Sequence, residues 1–411
     1  MHIAIVGAGI AGVTTAYELA LDGHQVSVYE QRSAAAEDAS FGSAGLLSPA
    51  LLAPWAAPAA DPAQQHGRRN ARLRLAPGAG IAGRLWRWQY GRAARQPDAA
   101  ARLAALHRLG QYSLARTRAI IDGLELQCDS AYGTLVLLRQ RSDLSSLAPA
   151  LQALQDAGLQ LREVDADTAR QIEPGLAADV PLAGALHVSD GQAANCRVFA
   201  QQLRQAAQER GVQFFFNTGV ERIQLQPAGV QLVGGELRAA DAVVVCAGMG
   251  AQPLLRPLGL RLPLVPVYGY TVSAPVREDC HAPQGSVIDP RHRIAMVRQG
   301  QRVRISGGGE IGRTHGAHHE ATLQQLYLTV SGWFPGGVQT SSHQVQIWRG
   351  PRPTMVDGMP RIGATALPGL WLNLGHGASG WAQACASACL LADLVAGRSP
   401  EIDPTPFAPA R

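Results

Sequence analysis

The sequence His2-Ile-Ala-Ile-Val-Gly7-Ala-Gly9-Ile-Ala-Gly12 predicts a buried β-strand, a glycine-rich turn and the start of an α-helix. The helix should run to about residue 22, where Gly23 ends it, and Gln25-Val-Ser-Val-Tyr29 predicts a second parallel strand that leads to Glu30. The three glycines suit a tight turn, a close approach of the backbone to a pyrophosphate, and close packing of helix on strand. Glu30 suits ribose hydroxyl groups and would repel a 2′-phosphate. The unit therefore predicts a Rossmann-like domain that binds FAD or NAD rather than NADP.

A second glycine-rich turn lies near the C-terminus. The apolar strand Leu370-Trp-Leu-Asn-Leu374 leads into Gly375-His-Gly-Ala-Ser-Gly380, and an alanine-rich helical stretch follows over residues 381–396. Such a turn aims unpaired N–H groups and the positive end of the helix dipole at a ligand. Another apolar strand, Asp241-Ala-Val-Val-Val-Cys246, is also followed by a glycine, Gly248. These patterns predict further places where backbone approaches the same ligand.

Composition narrows the class of protein. The 411 residues, 46% of them hydrophobic, can bury a large core, and the length allows two domains or an interleaved pair. The sequence contains no lysine, which excludes a P-loop lysine, a pyridoxal Schiff base and a lysine nucleophile. The net charge is +5, but only 16% of residues are charged and no nucleic-acid motif accompanies them, so we expect no nucleic-acid partner. His315-Gly-Ala-His-His319 lacks a regular carboxylate or cysteine partner, so we expect a polar loop and no metal.

One segment combines arginine and tryptophan. No apolar stretch is long enough to span a bilayer and no charged region precedes the first strand, so we expect a cytoplasmic protein. The segment Arg84-Leu-Trp-Arg-Trp-Gln-Tyr90, with Arg92 and Arg95 after it, suits a lipid interface or a partner groove. The alternative interpretation is that this segment is a helix of the substrate domain whose aromatic residues pack inward. Peripheral contact with the inner face of the membrane therefore stays open.

Segments along nearly the whole chain resemble the FAD-dependent D-amino acid dehydrogenases, in the wider family of D-amino acid oxidase, glycine oxidase and sarcosine oxidase. Besides the N-terminal unit and the turn at Gly375, the resemblance rests on these segments: Ser43-Ala-Gly-Leu-Leu-Ser-Pro49, Ala53-Pro-Trp-Ala-Ala-Pro58, Gly191-Gln-Ala-Ala-Asn-Cys196, Val265-Pro-Val-Tyr-Gly-Tyr270, Trp348-Arg-Gly-Pro-Arg-Pro353 and Val356-Asp-Gly-Met-Pro-Arg-Ile-Gly363. It implies FAD as the cofactor.

The resemblance and the order of the motifs imply an α/β fold, α+β overall, in which a Rossmann-like FAD-binding domain is interleaved with a substrate domain. The substrate domain should be built on a mainly antiparallel sheet. We expect residues 1–55, 186–262 and 346–411 to form the discontinuous FAD-binding domain, and residues 56–185 and 263–345 to form the substrate-binding domain.

The resemblance also implies roles for single residues. Arg352, in the Gly-x-Arg-Pro position, would hold a substrate carboxylate by two parallel hydrogen bonds. Tyr270 and Tyr268 fall where relatives place a substrate-facing tyrosine, with core packing as the alternative for Tyr268. His376 is a candidate base for the substrate ammonium group, or else a residue that fixes the loop. The expected FAD contacts are Gly7, Ala8, Gly9, Ile10, Ala11, Gly12, Glu30, Gln31, Ser43, Ala44, Gly45, Leu46, Val220, Ala247, Gly248, Gly375, Gly377, Ala378, Ser379 and Gly380.

The implied reaction is oxidation of a D-amino acid at its Cα–N bond by hydride transfer to flavin N5, giving an imine that hydrolyses to a 2-oxo acid. Sarcosine-oxidase-like members use a lysine near the flavin to activate oxygen, so the absence of lysine favours an acceptor such as a quinone or an electron-transfer partner. Tyr268-Gly-Tyr270 stands where many of these dehydrogenases have Lys-Gly-Tyr. That difference could accommodate a cyclic amine, D-proline or cis-4-hydroxy-D-proline. A third alternative is a non-catalytic FAD-binding subunit of a larger complex.

Overall fold

A computed structural model describes residues 1–47, 73–312 and 318–409. The resemblance over residues 53–58, the interpretation of His315, and the domain boundary between residues 55 and 56 therefore lie outside the described residues.

Strands and helices alternate along the described residues, and the predicted strands at residues 2–6, 25–29 and 370–374 are among them. The strands are β1 (His2–Val6), β2 (Gln25–Tyr29), β3 (Arg74–Leu75), β4 (Ala131–Leu138), β5 (Arg162–Val164), β6 (Gly184–Ala193), β7 (Gln213–Phe215), β8 (Val220–Leu225), β9 (Ala228–Leu232), β10 (Leu237–Ala239), β11 (Ala242–Val245), β12 (Leu264–Pro275), β13 (Ser286–Asp289), β14 (Ile294–Gln299), β15 (Arg302–Ile311), β16 (Gln346–Met355), β17 (Arg361–Ala364) and β18 (Leu370–Leu374). The helices are α1 (Ile10–Leu21), α2 (Gly80–Ala93), α3 (Ala99–Gly123), α4 (Arg141–Asp156), α5 (Ala166–Ile172), α6 (Cys196–Glu209), α7 (Ala251–Leu255), α8 (Glu320–Trp333) and α9 (Gly380–Val395).

A six-stranded sheet in the order β17-β18-β11-β1-β2-β7 forms the Rossmann-like part of the fold. The pairs β1/β2, β1/β11, β11/β18 and β2/β7 are all parallel, and only β17 runs antiparallel to its neighbour. Because β1, β11 and β18 are parallel neighbours, the glycine-rich turns that follow them share one edge of the sheet. The α/β fold class with a Rossmann-like domain is confirmed.

A second, larger sheet runs in the order β16-β12-β15-β14-β13-β4-β6-β5, with β3 paired to β15. Most of its pairs are antiparallel, as expected, and β13/β4 and β15/β3 are parallel. Helix α8 packs on one face through Leu326, Val330 and Trp333, which contact Tyr270 and Val272 of β12 in one apolar core. This sheet supplies the side of the molecule that faces the glycine-rich edge.

Strand pairing places two segments differently from the domain boundaries expected above. Residues 186–193 belong to β6 and residues 346–355 to β16, and both strands pair within the larger sheet rather than in the Rossmann-like one. The difference arises because β6 pairs with β4 and β16 pairs with β12, and no local motif reveals these pairings. In addition, β8 pairs with β9 and β10 in a separate three-stranded sheet. The division into two domains stays a prediction, with these two strands assigned to the substrate side.

Candidate active site

One cavity opens at the shared edge where β1, β11 and β18 end. Most of the expected FAD contacts line it: Gly7, Gly9, Ile10, Ala11, Glu30, Gln31, Ser43, Ala44, Leu46, Val220, Ala247, Gly248, Gly375, Gly377, Ala378 and Gly380. Four others of that set, Ala8, Gly12, Gly45 and Ser379, are not among the residues that line it. The structure thus brings together segments that are more than 350 residues apart in the sequence.

The first three glycines are required for different reasons. Gly7 has φ +101°, and a Cβ there would lie 2.8 Å from the carbonyl oxygen of Cys246. A Cβ on Gly12 would overlap the carbonyl oxygen of Gly7, so this glycine permits close packing of α1 on the turn. A Cβ on Gly9 would meet no described atom closer than the Ser40 hydroxyl at 3.5 Å. The protein therefore does not itself demand glycine at position 9, which fits a bound pyrophosphate close to that backbone.

Glu30 is fixed at the wall of the same cavity. Its two carboxylate oxygens accept hydrogen bonds from the backbone N–H of Ala8 at 2.7 Å and of Arg32 at 2.9 Å. Ala8 therefore contributes by positioning Glu30 rather than by lining the cavity. A fixed carboxylate at this distance from the glycine turn suits the hydroxyl groups of a ribose. Together with Gly9, it shows that the residues present fit the adenosine diphosphate part of FAD.

The C-terminal turn presents backbone to the cavity from the opposite side. Gly375 and Gly377 have φ of +86° and +58°, conformations that favour glycine. A short 3₁₀ turn, Gly377–Ser379, then leads into α9. Gly45 is not on the wall, but its carbonyl oxygen accepts a hydrogen bond from Trp381 of α9 at 3.1 Å. The turn at residues 375–380 and the loop at residues 43–46 are thereby held next to each other.

His376 is buried and held by α9, the helix that follows it. Its side chain is 8% exposed, and its Nε2 lies 2.9 Å from the hydroxyl of Ser387. That hydroxyl donates to the carbonyl oxygen of Gln383 at 2.8 Å, so its oxygen is left to accept a hydrogen from His376 Nε2. Burial lowers the pKa of His376 to about 4. A neutral imidazole anchored to α9 fits a residue that fixes the loop better than it fits a base.

Arg352 projects into the cavity from β16. Its guanidinium lies over Gly269 of the neighbouring strand, where a Cβ would overlap it. Within the described ranges, no carboxylate forms an ion pair with this guanidinium, and burial lowers its pKa to about 10. Since that pKa is still well above neutral pH, Arg352 is a charged, planar hydrogen-bond donor that faces the cavity without a protein counter-ion. A charged guanidinium of this kind can bind a carboxylate by two parallel hydrogen bonds.

The two tyrosines do not reach the cavity. Side chains alternate between the faces of a strand, so Gly269 lies on the face of Arg352 while Tyr268 and Tyr270 point to the other face. The Tyr270 hydroxyl is buried there and donates to Glu310 at 3.0 Å. Arg349 donates to the same hydroxyl at 3.2 Å, and its guanidinium lies 4.0 Å from the centre of the Tyr268 ring. Among the described residues, both tyrosines thus lie in packing and a buried charge network on the face away from Arg352, and their expected substrate-facing role stays a prediction.

The cavity has an apolar wall that the sequence does not reveal. This wall continues from Leu46 along the larger sheet and beneath α4, and consists of Leu103, Val136, Leu147, Leu151, Leu154, Leu186, Ile288 and Ala295. These residues come from α3, α4 and four different strands, and each looks like an ordinary core residue in the sequence. No local signal could have identified them, because their common feature is the side of the sheet on which they lie.

Two further contacts, which the sequence does not reveal, hold the loop at residues 41–45. The Arg304 guanidinium donates to the carbonyl oxygens of Phe41 and Ser43, both at 2.9 Å. The Trp348 ring packs over Gly42, where a Cβ would overlap it. Both residues belong to the larger sheet, so that sheet fastens the loop to the cavity.

A model of FAD dependent oxidoreductases, the DAO family, matches residues 2–394. The chain belongs to this family. Family membership confirms FAD as the cofactor and oxidoreductase as the class of enzyme, in agreement with the fit of Gly9 and Glu30. The resemblance inferred from the sequence motifs is likewise confirmed.

Two curated relatives from this family match almost the whole chain. The chain is 37% identical over 412 residues to a protein of Cereibacter sphaeroides named D-amino acid dehydrogenase, covering 98% of this chain and 93% of that protein. It is 36% identical over 417 residues to a protein of the same name from Chromohalobacter salexigens, covering 98% of each.

Solved structures share the fold at lower sequence identity. Glycine oxidase from Geobacillus kaustophilus superimposes with a TM-score of 0.77 at 22% identity, over 100% of this chain and 98% of that one. L-proline dehydrogenase from P. horikoshii gives a TM-score of 0.74 at 17% identity, over 100% and 97%. At these identities the likeness supports the fold alone.

Proposed function

We propose that this family member is a dehydrogenase that oxidises D-amino acids at the Cα–N bond, giving an imine and then a 2-oxo acid. The observation that carries the proposal is the guanidinium of Arg352, charged and without a protein counter-ion in the described ranges, in the cavity that the glycine-rich turns line. The relatives named D-amino acid dehydrogenase support the same substrate class. A non-catalytic subunit would have no need to keep such a group.

The residues of the chain divide the work between them. Arg352 binds the substrate carboxylate and so fixes the orientation of Cα. FAD, when bound, supplies the acceptor for the hydride that leaves Cα. The N–H groups at the start of α9 present positive ends of dipoles to the cavity, where negative charge is stabilised. The apolar wall excludes water from the reacting centre.

Deprotonation of the substrate ammonium group needs no side-chain base in this arrangement. His376 has a pKa of about 4 and its Nε2 is occupied by Ser387, so it accepts a proton poorly at neutral pH. We infer that the substrate binds as the neutral amine after losing its proton to water. The value of kcat/KM should then rise with pH until the amino group of the free substrate is deprotonated, with no lower inflection from His376.

The side chain of the substrate should lie toward the apolar wall. Ala295, Ile288 and Leu151 of α4 line the same cavity as Arg352. An apolar side chain fits this wall, so we propose D-amino acids with free α-amines and apolar side chains as the first candidates. Oxidation of D-proline or cis-4-hydroxy-D-proline would use the same carboxylate contact and remains the second candidate, although no described residue singles out a ring.

The electrons should pass to an acceptor other than oxygen. The support is the absence of lysine from the entire sequence, so that no lysine can activate oxygen beside the flavin. A quinone or an electron-transfer protein is the acceptor class that we propose.

The test is anaerobic bleaching of the flavin band by a panel of D- and L-amino acids that includes both proline epimers, using the purified holoenzyme and an Arg352→Leu variant. Bleaching by D-alanine and larger apolar D-amino acids, strongly slowed in the variant, is expected. Bleaching by cyclic amines alone would establish the second candidate. A wild-type enzyme that no amino acid reduces would refute both.

A further inference from the structure

Helix α2 exposes an apolar stripe. Ile81, Leu85 and Trp88 are 84%, 51% and 58% exposed, and their spacing of four and three residues places them on one side of the helix. Exposed apolar residues that occur singly are ordinary, but three large ones in a row on a single helix face indicate an interaction surface.

The same helix carries a concentrated positive charge. Arg84, Arg92 and Arg95 are exposed beside the stripe, and Arg92 lies 5.6 Å from the centre of the Trp88 ring. Residues 62–97 contain eight arginines and no aspartate or glutamate, while the whole chain carries only +5. The remainder of the chain therefore has a net charge of −3, so the net excess of positive charge lies in this segment, and five of its eight arginines are among the described residues.

The opposite face of α2 is anchored, which fixes the stripe outward. Trp86 is 5% exposed, its ring nitrogen donates to the carbonyl oxygen of Pro263 at 3.1 Å, and its ring stacks on Tyr90 at 5.0 Å. Trp86 also packs with Val267 and Ile311 of the larger sheet. The two alternatives raised by the sequence thus apply to different residues, because Trp86 and Tyr90 pack inward while Trp88 faces outward.

We propose that α2 is a membrane-surface helix that seats this protein on anionic lipid. Trp88, Leu85 and Ile81 would enter the boundary between headgroups and acyl chains, and the neighbouring arginines would pair with lipid phosphates. Arginine also suits this position because its aliphatic part covers apolar surface while its charge stays with the headgroups. None of the helices in the described ranges is long and apolar enough to cross a bilayer.

Contact of α2 with a membrane would affect electron transfer, an inference that rests on the proposed function. The inner face of α2, through Trp86 and Tyr90, closes a small cavity whose other walls include Arg352 and Gly377. A helix is about 10 Å thick. A lipid surface held against α2 would thus lie roughly one helix diameter from the active site. Quinone is concentrated in the membrane, so it would lie close to the active site as well.

Vesicle co-sedimentation of the holoenzyme, without any substrate, tests the lipid contact. One set of vesicles is phosphatidylcholine alone and the other contains one quarter phosphatidylglycerol. We expect binding to the anionic vesicles at least ten times tighter than to the neutral ones, and weakening of that binding by salt. The variant Ile81→Ser/Leu85→Ser/Trp88→Ser removes the apolar stripe and should lower the affinity for anionic vesicles at least tenfold.

Charge and position are tested by two further variants. Arg84→Gln/Arg92→Gln/Arg95→Gln should abolish the preference for anionic vesicles, whereas Arg141→Gln/Arg222→Gln/Arg256→Gln, at exposed arginines elsewhere, should retain it. Val233→Ser/Leu328→Ser removes apolar residues that are 72% and 60% exposed outside α2 and should bind like the wild type.

The proposal fails if the wild type does not bind anionic vesicles, or if the stripe and charge variants bind as well as it does. It also fails if the stripe variant changes only the sedimentation coefficient in the absence of vesicles, which would assign α2 to contact with a second copy. Bleaching by amino acids is measured separately, so loss of the proposed function would leave this result standing.

Discussion

The guanidinium of Arg352 lies over Gly269, one strand away from its own backbone, in the space that a side chain at position 269 would fill. The glycine between the two tyrosines is thus the gap that admits the arginine. The carboxylate site that we propose depends on this pair, and on neither residue alone.

Gly269→Ala should displace the guanidinium while leaving the sheet intact. Losing one charge-assisted hydrogen bond to the carboxylate raises KM for a D-amino acid by about tenfold or more. Gly332→Ala on α8 is the matched control, since a Cβ there meets nothing within 4 Å. The measurement is KM from steady-state kinetics of both variants at equal FAD content. An unchanged KM in Gly269→Ala would contradict the assignment of Arg352.

Arg352→Lys keeps the positive charge but replaces the two-pronged donor with a single point charge. We expect KM to rise about tenfold to a hundredfold, with kcat falling as well because Cα is less firmly oriented. FAD affinity, followed by flavin absorbance during dialysis, should not change. A simple carboxylate inhibitor should lose affinity in parallel with the substrate, and retention of its affinity would argue against a shared site.

His376 should make stability depend on pH. Its pKa is lowered from 6.5 to about 4 in the folded protein, so protonation favours the unfolded chain. In the unfolded chain the pKa of His376 is 6.5. Above that pH the folded protein has the full stability that goes with a neutral imidazole, and it loses this stability as pH falls from 6.5 toward 4. Between pH 7 and pH 5 the free energy of unfolding should drop by about 2 kcal/mol from this residue alone.

His376→Gln keeps a donor for Ser387 and removes the titration. Urea unfolding at pH 7 and pH 5 should show a smaller drop in the variant than in the wild type, by about that amount. Its kcat should fall by less than about tenfold, in contrast to the larger loss typical of a missing general base. A loss of a hundredfold or more would restore His376 as the base.

Gly9 and Gly12 should respond differently to alanine. Gly9→Ala introduces a Cβ that the protein accommodates, so the variant should fold with nearly unchanged melting temperature and lose FAD. Gly12→Ala places a Cβ on the Gly7 carbonyl and should lower the melting temperature as well. Thermal unfolding and bound flavin are the two measurements. Tight FAD binding by the first variant would show that the pyrophosphate lies elsewhere.

Local patterns predicted the Rossmann-like unit well. The first strand, the helix after it and the strand at Gln25–Tyr29 follow from hydrophobic period and from three glycines within six residues, because all the interactions involved are short-range. The same holds for the strand Leu370–Leu374 and its turn. Such units are visible in a sequence since the residues that need one another are neighbours.

The faces of β12 could not be predicted in the same way. Side chains alternate between the faces of a strand, so Gly269 and Tyr270 point to opposite sides, but α8, which covers one of those sides, begins at Glu320, 50 residues later. Only its packing decides that Tyr270 faces Glu310 and that Gly269 faces the cavity. The apolar wall and the membership of β6 in the larger sheet were hidden for the same reason, since each depends on pairing between distant segments.

The packing of Trp348 over Gly42 affects how this active site can change during evolution. Trp348 and Arg352 lie four residues apart on one strand and project from the same face, so a single strand sets both the loop beside the cofactor and the contact for the carboxylate. A substitution that shifts this strand disturbs both at once. New substrate preferences are therefore expected to arise at the far end of the sheet, around Ile288 and Leu151, where side-chain volume can vary while the strand that carries Trp348 and Arg352 stays in place.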